Sequence, residues 1–165
     1  MKKIIFVRHG KAEEVSSGIS DYERSLTIKG KIISRLMAKR LKGIEKSSVT
    51  LISSPAFRAL ETALIFALEF GIAAEKITMN SNIYYKMNLR HLSEILAQAG
   101  ETCNTVILVG HNPSFTEIAN SLSHEGCDFM PKSGVLGLSF DVSTWPEIRQ
   151  KAGKQLFYLI PEKDL

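Results

Sequence analysis

The chain has 165 residues, 44% hydrophobic and 23% charged, and a domain near this size buries roughly 70% of its unfolded surface without help from disulfides or a structural metal. Disordered, collagen-like and disulfide-scaffold proteins are excluded by this composition. The 21 Lys and Arg residues against 17 Asp and Glu leave a formal charge of +4, which favours anionic ligands but falls far short of the basic density of a nucleic-acid binder.

The N-terminal Met1-Lys2-Lys3 is basic like a signal peptide, but the apolar run Ile4-Ile5-Phe6-Val7 stops at Arg8, where a secretory segment needs roughly seven to fifteen apolar residues. No stretch approaches the roughly 18 to 20 apolar residues of a membrane span. Cys103 and Cys127 form no Cys-x-x-Cys spacing, so a reducing compartment is the simpler reading. A cytoplasmic protein is expected, with neither nucleic acid nor membrane as partner.

Short β-branched runs alternate with stretches of helical period, the pattern of an α/β domain with a mostly parallel sheet. Ile4 to Val7 reads as a first strand, apolar throughout as a strand covered on both faces should be. Ile33, Leu36, Met37 and Leu41 fall on one helical face, and Gly43 suits the end of that helix. Val49 to Ile52 is a second strand. Ala56 to Phe70 is a helix with Leu60, Leu64, Ala67 and Leu68 as its inward stripe, closed by Gly71. A weak strand near Lys76 to Met79 and a helix from Leu89 to Ala99 follow. Thr105 to Val109 is the clearest buried strand, and Pro113 to Leu122 the helix after it. Val135 to Val142 and Gln155 to Ile160 read as two last strands, joined by a loop containing Trp145 and Pro146. With no repeat, linker or low-complexity tract, one domain is expected over residues 1–165.

Three strands end in similar punctuation: Phe6-Val7-Arg8-His9-Gly10, Ile52-Ser53-Ser54-Pro55-Ala56-Phe57-Arg58 and Leu108-Val109-Gly110-His111-Asn112-Pro113. In the latter two, Ser54 and Asn112 suit helix caps with proline at the first helical position. Ligands of open α/β sheets bind at the carboxyl ends of strands, and there these segments deliver Arg8, His9, Arg58 and His111. Such a cluster repels itself unless an anion belongs among it, the more so because Arg58 lies in a first helical turn. Arginine forks and helix N-termini match a phosphoryl group in geometry and charge.

Positive surroundings keep an imidazole neutral near physiological pH. His9 is therefore the expected nucleophile, forming a phosphohistidine that water hydrolyses, with Arg8, Arg58 and His111 on the equatorial oxygens. Gly10 lets the backbone pass close to the bound group, and Asn112 joins the expected phosphate contacts. The arginines neutralise charge, so neither a metal nor another cofactor is expected. His91 and His124 lack partner spacing and read as surface or loop residues. Lys39, Arg40, Lys42 and Lys46 read as a solvated helix face, and Met87, Met130 and the phenylalanines as core filling. Other phosphoryl chemistries fail on residues: neither cysteine begins a Cys-x5-Arg loop, and there is neither a Walker A loop nor a Gly-x-Ser-x-Gly elbow.

Arg8-His9-Gly10, Ser54-Pro55-Ala56-Phe57-Arg58-Ala59-Leu60-Glu61-Thr62 and Val109-Gly110-His111-Asn112-Pro113 together resemble, in order, the motifs of the histidine phosphatase superfamily. The segment Asp21 to Gly30 and the terminal Tyr158-Leu159-Ile160-Pro161 are most similar to its SixA-type phosphohistidine phosphatases. The resemblance implies a phosphoglycerate-mutase-like fold, a three-layer α/β/α sandwich without a cap domain, and carries catalytic roles to Arg8, His9, Arg58 and His111. Larger relatives place a carboxylate general acid after the third strand, whereas Ile83 to Leu89 contains none here. Asp21 is one candidate acid and Glu94 a weaker one; Asp21 also reads as a loop or capping residue.

A site without a strong acid favours phosphohistidine, which departs as neutral imidazole, over alkyl esters, whose leaving group wants a proton. The short stretch between Gly71 and Thr105 leaves no room for a lid. The expected function is hydrolysis of phosphohistidine on a protein, such as a phosphotransfer domain, by a monomer. The alternatives are a small-molecule phosphomonoesterase and an inactive phosphoryl-binding module.

Overall fold

A computed structural model describes residues 1–163. The strands are β1 (Lys2–Arg8), β2 (Thr50–Ser53), β3 (Thr78–Met79), β4 (Thr105–Gly110), β5 (Val135–Phe140) and β6 (Lys154–Leu159). They form one sheet in the order β3-β2-β4-β1-β5-β6. The pairs β3–β2, β2–β4 and β4–β1 are parallel, and β5 and β6 are added antiparallel. The helices are α1 (Ile28–Ile44), α2 (Phe57–Phe70), α3 (Leu89–Ala99) and α4 (Ser114–Leu122).

Successive side chains of a strand point to opposite faces, so β1 feeds two cores. Ile5 and Val7 pack with Met37, Ala38 and Leu41 of α1 and Ala59, Ala63 and Phe66 of α2. Ile4 and Phe6 pack on the other face with Leu92, Ile95 and Leu96 of α3 and Phe115 and Ile118 of α4. This two-sided cover explains why β1 and β4 are apolar without alternation. The mostly parallel three-layer sandwich agrees with the expectation, and no cap is inserted among the described residues.

Several local expectations need correction. The buried face of α2 carries Ala59, Thr62, Ala63, Phe66 and Ala67, while Leu64 and Leu68 face outward. Small residues let this helix approach the sheet closely, and closeness wins over side-chain size. Likewise α1 buries Gly30, Ser34, Met37, Ala38 and Leu41 but leaves Leu36 exposed, and it runs past Gly43 to Ile44. Phe57 and Phe129 are exposed rather than core. Neither proline opens its helix: α2 begins at Phe57, after Pro55, and Pro113 precedes α4. Gly71 does close α2, in the left-handed conformation at φ 69° that glycine adopts without steric cost.

Register sets the site. Val7 lies opposite Val109, and Val109 opposite Ser53. The residues that follow these three, beginning with Arg8, Gly110 and Ser54, therefore leave one edge of the sheet at one level.

Candidate active site

His9 sits one residue past β1, its amide donating to Gly110 O at 3.0 Å, and its side chain is buried. Nδ1 lies 2.8 Å from Gly10 O. A carbonyl oxygen only accepts, so Nδ1 carries the proton and Nε2 keeps its lone pair. Burial, then the charges of His111, Arg58 and Arg8, outweigh the opposing Gly10 bond and lower the His9 pKa to about 3. The neutral ring is thus the form present at physiological pH.

The His111 ring lies 5.1 Å from that of His9, tilted by 54°. Its Nε2 is 2.8 Å from Ser54 Oγ. Ser54 Oγ accepts from the Ala56 amide at 3.2 Å and can give its own hydrogen to His111 Nε2. In that tautomer the ring proton is on His111 Nδ1, a buried atom with no protein partner. Burial and the Arg58 charge, against the pull of Asp21, bring the His111 pKa to about 4. Both rings are therefore neutral at physiological pH, and His9 keeps its Nε2 lone pair.

Both histidines feel both arginines. Arg8 donates Nη1 to Met130 O at 3.0 Å, lies over the Phe129 ring at 5.1 Å, and keeps a buried Nε without a protein partner. Burial lowers its pKa from the ordinary arginine value, yet an arginine stays charged. Arg58, in the first turn of α2, gives Nη1 to Asp21 O at 2.7 Å and Nη2 to Asp21 Oδ2 at 3.0 Å.

Asp21 begins a short 3-10 turn, Asp21–Glu23. Its carboxylate also accepts from Arg24 at 2.9 Å and from the Tyr84 hydroxyl at 3.0 Å. Burial pushes the carboxyl upward, but hydrogen bonds from Arg24, Tyr84 and Arg58 together with the Arg58 charge prevail and hold it at about 2. Sequence reading placed Asp21 as a candidate acid. The structure brings it to the site as an ionised partner of Arg58, with little tendency to hold a proton at neutral pH. Glu94 pairs with Arg90 at 3.3 Å along an exposed stretch of α3.

Two expected phosphate contacts, Gly10 and Asn112, have protein partners in this structure. The Gly10 amide donates to Thr62 Oγ1 at 3.1 Å, and a Cβ at Gly10 would sit 2.5 Å from Ser34 Oγ. Glycine is needed here because the loop presses against α1, not to expose the amide. Asn112 gives Nδ2 to Met130 O at 2.8 Å and accepts from Thr116 Oγ1 at 2.8 Å, tying down the carbonyl that Arg8 also holds. Sequence reading missed Tyr84, whose ring edge meets His111 at 5.7 Å, and gave no separate role to Thr62, which donates to Arg58 O at 2.8 Å. The Tyr84-Tyr85 pair in the connection between β3 and α3 is the available signal for the first.

Among the described residues, no group of three or more His, Cys, Asp or Glu is placed to hold a metal ion. The arrangement sets a neutral imidazole, His9, beside a second ring, His111, with both in the charge field of Arg8 and Arg58, which suits transfer of a tetrahedral anion to nitrogen.

The family model for the histidine phosphatase superfamily (branch 1) matches residues 4–81. The chain has the fold of the SixA structures. SixA from Agrobacterium tumefaciens superposes with a TM-score of 0.78 at 23% identity, over 98% of this chain and 99% of that one. The protein histidine phosphatase SixA complexed with tungstate gives 0.75 at 23% identity, over 95% and 96%. Mycobacterial glucosyl-3-phosphoglycerate phosphatase gives 0.67 at 14%, over 94% and 97%. An uncharacterized protein of Picosynechococcus sp. is 26% identical over 98% of this chain and 97% of its own length. Among the described residues no helix is long and apolar enough to cross a membrane.

Proposed function

We propose that the chain is a metal-independent phosphatase that removes the phosphoryl group from histidine on a protein. His9 Nε2 attacks phosphorus as the bond from phosphorus to the substrate imidazole breaks. The substrate ring, protonated on its other nitrogen, leaves neutral. Water then cleaves the His9 phosphoramidate, releasing phosphate and restoring the free imidazole. Arg8, Arg58 and the Nδ1–H of His111 hold the equatorial oxygens, whose charge they are placed to meet in the transition state. Asp21 orients Arg58 and donates no proton.

The observation that carries this reading is the His9–Gly10 bond, which fixes the tautomer and leaves Nε2 free amid both arginines. Preference for phosphohistidine over alkyl esters is supported by Asp21, the partner of Arg58, being held ionised at about 2. Incubating the protein, in EDTA, with a histidine-phosphorylated phosphotransfer domain and with an alkyl phosphate tests both parts. Faster release from the phosphoprotein is expected. Preference for the alkyl ester would make the chain a metabolite phosphatase, and inactivity on both, with phosphate still bound, a phosphoryl-binding module.

A further inference from the structure

Every exposed aromatic side chain among the described residues lies on the rim of this site: Tyr22, Phe57, Tyr85 and Phe129. Phe129 covers Arg8. Phe57 meets the Tyr22 ring at 5.9 Å, Tyr22 meets Tyr84 at 5.3 Å, and Tyr84 meets Tyr85 at 5.1 Å. Tyr84 in turn touches His111. Whatever carries a phosphoryl group into the pocket must lie against this collar.

The apolar surface continues beyond any metabolite's reach. Leu64 and Leu68 follow Phe57 by seven and eleven positions, within about 20° on the same helical face, and carry the surface about 16 Å down α2. On α1, Ile32 lines the same surface hollow as Leu68 and Ile28 lies one turn before it; Ile28, Ile32 and Leu68 are 79%, 57% and 75% exposed. The charges that cross this groove cancel: Lys31 faces Glu61 at 3.7 Å and Arg35 faces Glu69 at 3.9 Å. Exposed apolar side chains gathered on one face and rimmed by charge mark an interaction site, and tyrosine and phenylalanine are enriched at such interfaces.

We infer that the collar and the α1–α2 face together dock the phosphohistidine-bearing protein, with an apolar surface of that partner laid along Ile28, Ile32, Leu64 and Leu68. This rests on the function proposed above. The phosphoryl pocket at one end of the face identifies the occupant, because the group that enters the pocket and the surface that covers the face then belong to one molecule. A small ester would leave the distal half of the face unused.

The test is the double variant Ile32→Gln/Leu68→Gln, which keeps net charge and helix propensity and changes only exposed positions. Wild type and variant are compared on a histidine-phosphorylated phosphotransfer domain and on phosphoramidate. The expected result is a KM for the domain raised about tenfold, with kcat at saturation and phosphoramidate turnover unchanged. Unchanged KM for the domain, with wild type hydrolysing both substrates, overturns the docking face and leaves the function standing. A wild type that hydrolyses phosphoramidate but not the domain overturns both. A sedimenting wild-type dimer that the variant dissociates overturns the inference by assigning the face to a second copy of this chain.

Discussion

His9 turns Nδ1 toward the carbonyl of its own neighbour, Gly10, at 2.8 Å. The backbone thus performs the orienting task that a carboxylate performs in many catalytic histidines, without adding a negative charge that would repel a phosphoryl substrate. The pocket stays cationic while the His9 imidazole stays neutral.

One consequence concerns protonation. Both active-site histidines have pKa values well below the ordinary 6.5, near 3 for His9 and 4 for His111, chiefly through burial. Imidazole resonances of the ligand-free protein should therefore show both rings neutral from pH 8 to pH 5. Titration of either near 6.5 would contradict the geometry. The linkage sign follows: between pH 6.5 and the folded values, the unfolded chain binds protons that the folded one does not. Stability falls as pH falls through that window, by about 2 kcal/mol per histidine between pH 7 and pH 5. His9→Ala should remove its share of that slope in denaturant titrations.

Ser54 is expected to act through His111. Ser54→Ala removes the hydroxyl that donates to Nε2, so His111 is free to take the other tautomer and aim a lone pair at the phosphoryl oxygens. Loss of one preorganised donor costs about 10²-fold or more in kcat, and a tautomer that is lost only part of the time costs less, roughly tenfold. The KM should change little, and imidazole nitrogen shifts should report the altered tautomer. An unchanged kcat with wild-type nitrogen shifts would remove Ser54 from this role.

Asp21 competes with any anion for Arg58. Asp21→Asn should bind inorganic phosphate a few-fold more tightly, the scale set by an ion pair with one half-exposed member. It should not slow alkyl phosphates more than phosphohistidine. Selective loss on alkyl esters would restore Asp21 as the acid.

Phosphate should raise Tm in the wild type by binding the folded state, and this shift should vanish in Arg8→Ala and in Arg58→Ala. A shift retained in either variant would place the anion away from the two guanidinium groups.

Much of this arrangement was legible in the chain. Strand ends at Arg8-His9, Ser53-Ser54 and Gly110-His111 were marked by turn chemistry, and parallel pairing brings them to one edge. What could not be read was which polar groups serve each other. Gly10 and Asn112 sit beside the ligand residues in sequence, yet Thr62 and Met130 take their hydrogen-bonding groups. Helical faces misled where small residues pack closest: Ala59 and Ala63 go inward and leave Leu64 and Leu68 outside. Lys2, in a basic N-terminal run, is buried and donates to Glu101 O, Cys103 O and Asn104 Oδ1. Such pairings depend on contacts distant in sequence, which periodicity does not encode.

The central claim is that phosphorus passes through His9 Nε2. Alkaline quenching during turnover of a phosphohistidine substrate, followed by peptide mapping, measures where the phosphoryl group rests. The expected result is phosphate on His9 alone, attached at Nε2 and absent from His9→Ala. A phosphoryl group on another residue, or steady turnover by His9→Ala, would contradict it.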